Sequence, residues 1–141
     1  MKILFDTNVV LDVLMDREPF SNAAAELFAT VEEGSGIGYL CATTLTTVYY
    51  LAGKTLGAKR AKQAIQKLLA LFEVATVNRP VLETARQVRF NDFEDAVVYA
   101  AALHAGVDVI VTRNEVDFKR SAIPVYSPLE TDKILSFLKE G

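Results

Sequence analysis

One stretch of the chain, residues 91–118, restricts the fold more than any other. After the acids of Asn-Asp-Phe-Glu-Asp at 91–95, apolar residues recur at helical spacing until Gly106, which predicts a helix over 93–105. The run Val-Asp-Val-Ile-Val at 107–111 is short, rich in β-branched residues and followed at once by polar ones. This pattern is typical of a strand buried on both faces of a parallel sheet. Open α/β sheets bind ligands at the carboxyl ends of such strands, where Thr112 would lie.

The beginning of the chain has the same organisation. Residues 1–5 predict a short apolar strand, Asp6 follows at its end, and residues 9–15 predict a helix. If the two strands are neighbours in a parallel sheet, Asp6 lies at the same edge as Thr112 and Asp117. Both segments would then contribute polar side chains to one site.

The rest of the chain continues the alternation of strands and helices. Further strands are predicted over 37–41, 73–77 and 123–126, and further helices over 19–33, 58–71, 79–88 and 131–139. Residues 43–53 are β-branched like a strand, but their position and Gly53 favour a helix. Pro124 predicts that the last strand lies at an edge of the sheet. We therefore expect one α/β domain over residues 1–141, a three-layer α/β/α sandwich around a five-stranded parallel sheet.

Composition excludes several classes of protein. The chain has 141 residues, of which 51% are hydrophobic, and this is enough to form a core. It has no apolar run of the ~18 to 20 residues that span a bilayer. Its amino end lacks a basic leader, so we expect a cytoplasmic protein with no membrane association. Cys41 is the single cysteine, expected to be buried, and it excludes an intrachain disulfide. Because the net charge is −3, any nucleic-acid binding needs a local basic patch.

Three acids follow element boundaries and could meet at one rim of the sheet. If Asp6, Asp95 and Asp117 converge there, unit charges ~5 Å apart at an effective dielectric of ~20 repel by roughly 3 kcal/mol per pair. Such a cluster needs a cation or shared protons. Carboxylate oxygens without histidine or cysteine favour Mg²⁺ or Mn²⁺, which serve phosphoryl transfer and phosphodiester hydrolysis. Metal-assisted hydrolysis is therefore the leading chemistry.

Three motifs together resemble the PIN-domain ribonucleases, most of all the toxin subunits of VapBC-type toxin–antitoxin pairs. They are Ile-Leu-Phe-Asp-Thr-Asn-Val-Val-Leu-Asp at 3–12, Asp-Phe-Glu-Asp-Ala at 92–96, and Thr-Arg-Asn at 112–114 followed by Asp-Phe at 117–118. The resemblance implies the strand order 3-2-1-4-5 and cleavage of single-stranded or structured RNA to a 5′-phosphate and a 3′-hydroxyl. It also implies a homodimer and an antitoxin partner.

The resemblance assigns roles to individual residues. Asp6, Asp95 and Asp117 would be the catalytic acids that bind Mg²⁺ or Mn²⁺. Hydrogen bonds from Asn8, Thr112 and Asn114 would support them.

One feature departs from the family pattern. Many relatives carry a glutamate in the helix after the second strand, where this chain has Thr46 and Thr47. Either Asp92 or Glu94 replaces it, or metal affinity is reduced, or catalysis has been lost and a non-catalytic RNA- or protein-binding module remains. We favour replacement, and we expect only one of the two acids to face the site because they lie on opposite sides of a helical turn.

Other polar residues have simpler interpretations. Asp92 is expected first of all to cap its helix, His104 to be structural, and Asp12, Asp16 and Asp108 to be surface or turn acids. Near the acids, Arg113, Lys119 and Arg120 are the candidate substrate-binding residues. A second group of basic residues could also contact RNA, but we favour a solvated helix surface for it: Lys54, Lys59, Arg60, Lys62 and Lys67. At least one of Tyr49 and Tyr50 is expected to pack in the core.

Overall fold

The computed structural model describes residues 1–140 and contains the expected parallel sheet. Its five strands are β1 (Lys2–Phe5), β2 (Ile37–Cys41), β3 (Glu73–Ala75), β4 (Val109–Val111) and β5 (Val125–Tyr126). All neighbouring strands are parallel, in the order β3-β2-β1-β4-β5. The order 3-2-1-4-5 and the edge position of the last strand are therefore confirmed.

In the described part of the chain, seven helices lie around the sheet: α1 (Thr7–Leu14), α2 (Ser21–Glu32), α3 (Ala42–Leu56), α4 (Ala58–Leu71), α5 (Arg79–Gln87), α6 (Phe93–Ala105) and α7 (Thr131–Glu140). The ambiguous threonine-rich segment is helical, as predicted. A 3₁₀ turn at Glu115–Phe118 was not predicted. Strand β4 starts two residues later than expected because the Val107 N–H still donates to Ala102 O at the end of α6. Within residues 1–140, no helix is long and apolar enough to cross a membrane.

Alternate residues of the central strand enter two separate cores. Ile3 and Phe5 pack on one face with residues from α1, α2 and α4, whereas Leu4 packs on the other face with α5 and α6. Helix α6 is buried from Ala96 to Ala102, which explains why its sequence is apolar on nearly every side.

The pairing of β1 with β4 brings the two polar segments together. Phe5 lies opposite Val111 in the register, and the Asp6 N–H donates to Val111 O at 2.9 Å. The next residues, Asp6 and Thr112, consequently leave the sheet side by side at its carboxyl edge.

Three aromatic rings fill the core on the α2 and α4 side of the sheet. Phe5, Phe28 and Phe72 pack edge to face with centroid distances of 4.9 to 5.7 Å. Gly38 makes room for them, because a Cβ atom there would lie 2.6 Å from the Phe72 ring and 2.9 Å from Val31. The position therefore excludes any side chain unless the cluster moves.

We predict that Gly38→Ala lowers the free energy of unfolding by about 1 to 3 kcal/mol, because the new methyl group overpacks this core. Gly53→Ala is the matched control. A Cβ at Gly53, inside α3, would meet its nearest atom at 3.9 Å, so alanine should be neutral or stabilise the helix by up to about 1 kcal/mol. Urea unfolding measures both, and equal effects at the two positions would contradict the packing argument.

Candidate active site

Asp6 lies at the end of β1 and its side chain is almost completely buried, with 4% exposed. Its Oδ1 accepts a hydrogen bond from the Thr7 N–H at 2.8 Å, and its Oδ2 accepts one from Thr112 Oγ1 at 2.8 Å. Burial raises the pKa of the Asp6 carboxyl; these two hydrogen bonds oppose the rise, and the charges of Glu94 and Asp117 add to it. Asp6 is thus a buried acid held by the backbone at the start of α1 and by the hydroxyl of Thr112.

Thr112 connects Asp6 to the loop that follows β4. Its hydroxyl donates to Asp6 and accepts from the Asn114 N–H at 3.0 Å and from Asn8 Nδ2 at 3.4 Å. Asn8 in turn accepts from the Arg113 N–H at 3.2 Å. The three predicted supporting residues therefore form one hydrogen-bonded group around Asp6.

The loop then leads directly into Asp117. The Asp117 N–H donates to Asn114 O at 2.9 Å within the 3₁₀ turn, which gives the Asp117 side chain its place at the same edge. The resemblance predicted Asp117 as a site acid, but the 3₁₀ turn that carries it was not predicted, because a four-residue 3₁₀ segment leaves no periodic pattern.

Helix α6 contributes the remaining acids from its first turn. Asp92 is the N-cap, as expected: its Oδ1 accepts from the Glu94 N–H at 2.7 Å and from the Asp95 N–H at 3.2 Å. Asp95 is half-buried, and its pKa is raised to about 7, first by burial and then by repulsion from Asp6, Asp92, Asp117 and Glu94. The first turn of α6 therefore adds an acid whose charge is disfavoured by its surroundings.

These side chains share one open cavity of about 250 Å³. We call it the acidic cavity, and it is lined by Asp6, Thr7, Asn8, Leu11, Arg17, Asp92, Glu94, Asp95, Asn114 and Asp117. Asp6, Asp95 and Asp117 are therefore brought together as predicted. Asp92 and Glu94 both line it, contrary to the expectation that only one would.

The donor set of the acidic cavity suits a hard divalent cation, because it offers carboxylate, amide and hydroxyl oxygens and several mutually repelling charges. No three acids, histidines or cysteines of the described chain are close enough to hold one ion together. Mg²⁺ is commonly held by one or two carboxylates, with water and substrate phosphate completing its shell. The residues present fit an ion bound in that open manner.

The first turn of α3 carries no acid at this edge. Thr44 is buried there and its Oγ1 lies 2.9 Å from Thr7 Oγ1. Thr46 and Thr47, where the resemblance predicts the glutamate, follow in the same helix, and the exposed Thr46 donates from Oγ1 to Thr43 O at 2.9 Å.

Arg113 does not line the acidic cavity. Its Nε lies 2.7 Å from Asp12 Oδ2, and its guanidinium lies 4.5 Å from the centre of the Phe20 ring. The interpretation of Asp12 as a surface acid was therefore wrong: its side chain is fully buried, one helical turn after Asn8. Burial raises the pKa of Asp12, and the Arg113 charge opposes the rise.

Lys119 and Arg120 lie in a small basic notch beside the acidic cavity. The notch is lined by Arg89, Phe90, Asn91, Val116, Asp117, Lys119 and Arg120, and Asp117 belongs to both sites. The Phe90 ring stacks on Tyr99 at 4.9 Å and anchors the loop that presents Arg89. Arg89 was missed because no local pattern links it to residues thirty positions away.

The other candidates lie elsewhere. Lys54 lies 4.4 Å from the Tyr50 ring, and Tyr49 and Tyr50 are both exposed, so the expectation that one of them packs in the core was wrong. His104 is an exposed residue whose Nε2 lies 2.8 Å from Thr84 Oγ1, and Cys41 is buried, both as predicted. Asp16 and Asp108 are exposed, as expected.

Comparison with known proteins gives a family and a set of structural relatives. A family profile described as the PIN domain matches residues 2–115. No curated protein sequence matches the chain.

Three solved structures illustrate the fold likeness. DNA-bound VapBC from Salmonella typhimurium is 19% identical with a TM-score of 0.69, and the match covers 91% of this chain and 98% of that one. FitAcB from Neisseria gonorrhoeae is 20% identical with a TM-score of 0.69, covering 90% and 98%. VapC20 from Mycobacterium tuberculosis, described as a Sarcin-Ricin loop cleaving toxin, is 19% identical with a TM-score of 0.61, covering 77% and 86%. At these identities the likeness establishes a shared fold.

We predict that Thr112→Val lowers the free energy of unfolding by about 1 to 3 kcal/mol, because it removes the short hydrogen bond to the buried Asp6 Oδ2 and the acceptor of the Asn114 N–H. Thr112→Ser keeps the hydroxyl and should recover most of this loss. Urea unfolding distinguishes them, and destabilisation by serine but not by valine would show that the threonine methyl group matters instead.

The raised pKa of Asp95 predicts a pH-dependent stability in metal-free protein. The Asp95 carboxyl has a pKa of about 7 in the folded state, against an ordinary value of 3.8. Its contribution to the stability of the fold is therefore complete below pH 3.8 and is lost as the pH rises through about 7. Asp95→Asn should therefore gain stability relative to the unsubstituted chain between pH 5 and pH 8. Urea unfolding in chelator measures the gain.

Asp132→Asn, on the exposed surface of α7, controls for the loss of one negative charge. A stability difference between Asp95→Asn and the unsubstituted chain that does not change with pH would contradict the prediction.

Proposed function

The chain belongs to the PIN domain family, and we propose from this premise that it is an endoribonuclease that requires Mg²⁺ or Mn²⁺. The observation that supports this most is the acidic cavity, where acids from three separate segments line one opening at the carboxyl edge of the sheet. Repulsion among these neighbouring acids does not stabilise the fold, whereas a cation-dependent hydrolase needs such a cluster of acids to bind its ion.

The proposed ligands of the ion are drawn from Asp6, Asp95 and Asp117: one or two of these carboxylates would bind it directly and the others through water, because no three acids of the described chain are close enough to hold one ion together. Glu94 is the best candidate for the missing glutamate, because its charge acts on Asp6 and its carboxylate does not cap α6 as that of Asp92 does. When bound, the ion would lower the pKa of a coordinated water and offset the charge of the phosphate. Asn8, Thr112 and Asn114 would keep the acids in position through the hydrogen bonds around Asp6.

The proposed substrate is single-stranded or structured RNA, held by its phosphates. Lys119 and Arg120, with Arg89, are proposed to contact the phosphate next to the cavity, because the basic notch and the acidic cavity meet at Asp117. No acid of the described chain lies within ion-pair distance of these three cations.

We also propose that the protein is the toxin of a toxin–antitoxin pair, acts in the cytoplasm and forms a homodimer. Support comes from structural relatives, among them FitAB bound to a DNA fragment and a toxin–antitoxin complex from Klebsiella pneumoniae. The latter is 24% identical to this chain.

A second candidate function is a PIN-like RNA- or protein-binding module without catalysis. The presence of Thr46 and Thr47 in α3 favours it, since the resemblance predicts a glutamate there. Metal binding and RNA cleavage separate the two candidates.

We expect purified protein to cut a mixed-sequence single-stranded RNA with Mg²⁺ or Mn²⁺ and not in chelator. Asp6→Asn and Asp95→Asn should each lower the cleavage rate at least about 100-fold, because each removes a proposed metal ligand. The measurement is the rate of product formation on a denaturing gel, and Asp132→Asn serves as the charge control. Titration calorimetry with Mn²⁺ should show binding that both site variants weaken.

The outcomes discriminate clearly. Cleavage that survives in chelator, or that Asp6→Asn and Asp95→Asn leave intact, would reject the proposed site. Absence of both cleavage and Mn²⁺ binding would leave the binding module.

A further inference from the structure

Arg17 is the one basic residue among those of the described chain that line the acidic cavity. It follows α1 in the connection to α2, where its backbone is fixed at both ends: its N–H donates to Asp12 O at 3.0 Å, and its carbonyl accepts from the Ser21 N–H at 2.9 Å. The cavity therefore contains a positive side chain on an anchored turn.

The charge of Arg17 is not paired with any acid that lines the acidic cavity in the described chain. None of the cavity acids of the described chain lies within 4.0 Å of its guanidinium. Its contacts are a hydrogen bond from Nη2 to Met15 Sδ at 3.2 Å, which is a weak acceptor, and a distance of 4.0 Å from Nη1 to Asp12 Oδ1. Most of its donors are thus available to a ligand.

Two arginines share Asp12, and they differ in how firmly they are held. Arg113 lies 2.7 Å from the Asp12 carboxylate, stacks on Phe20 and is 27% exposed. Arg17 is at 4.0 Å and is 40% exposed. Arg113 already compensates the buried charge of Asp12, so Arg17 is the member of the pair that can turn to the cavity without leaving that charge unpaired.

We propose that Arg17 binds a non-bridging oxygen of the RNA phosphate in the acidic cavity. This inference rests on the proposed function. A phosphate entering among several carboxylates needs positive charge from the protein in addition to any bound ion, and the planar guanidinium fork matches phosphate oxygens. Arg17 thereby takes the role that the sequence suggested for Arg113, while Arg113 compensates Asp12 and holds the loop after β4.

The test compares Arg17→Gln and Arg17→Lys. Binding of a short fluorescein-labelled single-stranded RNA is followed by anisotropy in an Asp95→Asn background, so that the RNA is not cut. Arg17→Gln should weaken binding on the order of tenfold and reduce the slope of log affinity against log salt concentration by roughly 0.7, the loss of one phosphate contact. Arg17→Lys should keep the slope and lose part of the affinity, because it keeps the charge without the fork.

Arg79→Gln is the matched control, because Arg79 is exposed and lines neither the acidic cavity nor the basic notch. Thermal unfolding of each variant reports on folding. Unchanged affinity and salt slope in Arg17→Gln, with or without a lower melting temperature, would overturn the inference and show a purely structural partner of Asp12. If RNA neither binds to nor is cut by the unsubstituted chain, the proposed function fails, and this inference with it.

Discussion

Burial of the Asp6 carboxylate is the constraint on which the rest of the site depends. A charged group removed from water must be given hydrogen-bond donors, and here they come from the Thr7 backbone and the Thr112 hydroxyl. The second donor is available only because β1 and β4 are neighbours in register. The buried charge of Asp6 is therefore stabilised by three linked features: the strand order, the Thr112 hydroxyl and the position of the following loop.

Helix α6 accommodates charge in a different manner. Its body is buried among apolar side chains, and its acids are confined to the first turn, where Asp92 satisfies two backbone N–H groups. Negative charge at a helix start is favourable on its own. Burial of Asp95, together with repulsion from Asp6 and Asp117, outweighs this benefit, so the local arrangement is one that stability alone would not select.

The sequence was sufficient for those parts of the protein that follow a period or an element boundary. The alternation of strands and helices and the helix over 93–105 belong to this group. The strand order was implied by the resemblance, and the convergence of Asp6, Asp95 and Asp117 depends on it, because neighbouring parallel strands bring their carboxyl ends to one edge. Side-chain partnerships across the fold do not. Asp12 has the spacing of an ordinary helical acid, and only the packed structure shows that Arg113, a hundred positions away, compensates it.

The two edges of the sheet have a consequence for how this protein can be recognised. β3 has three residues and β5 has two, and Pro124 directly precedes β5. Edges this short offer an incoming chain too few backbone groups to extend the sheet. Assembly with another protein must therefore use helix surfaces and side chains, and the same property protects the chain from joining its own copies into continuous sheets.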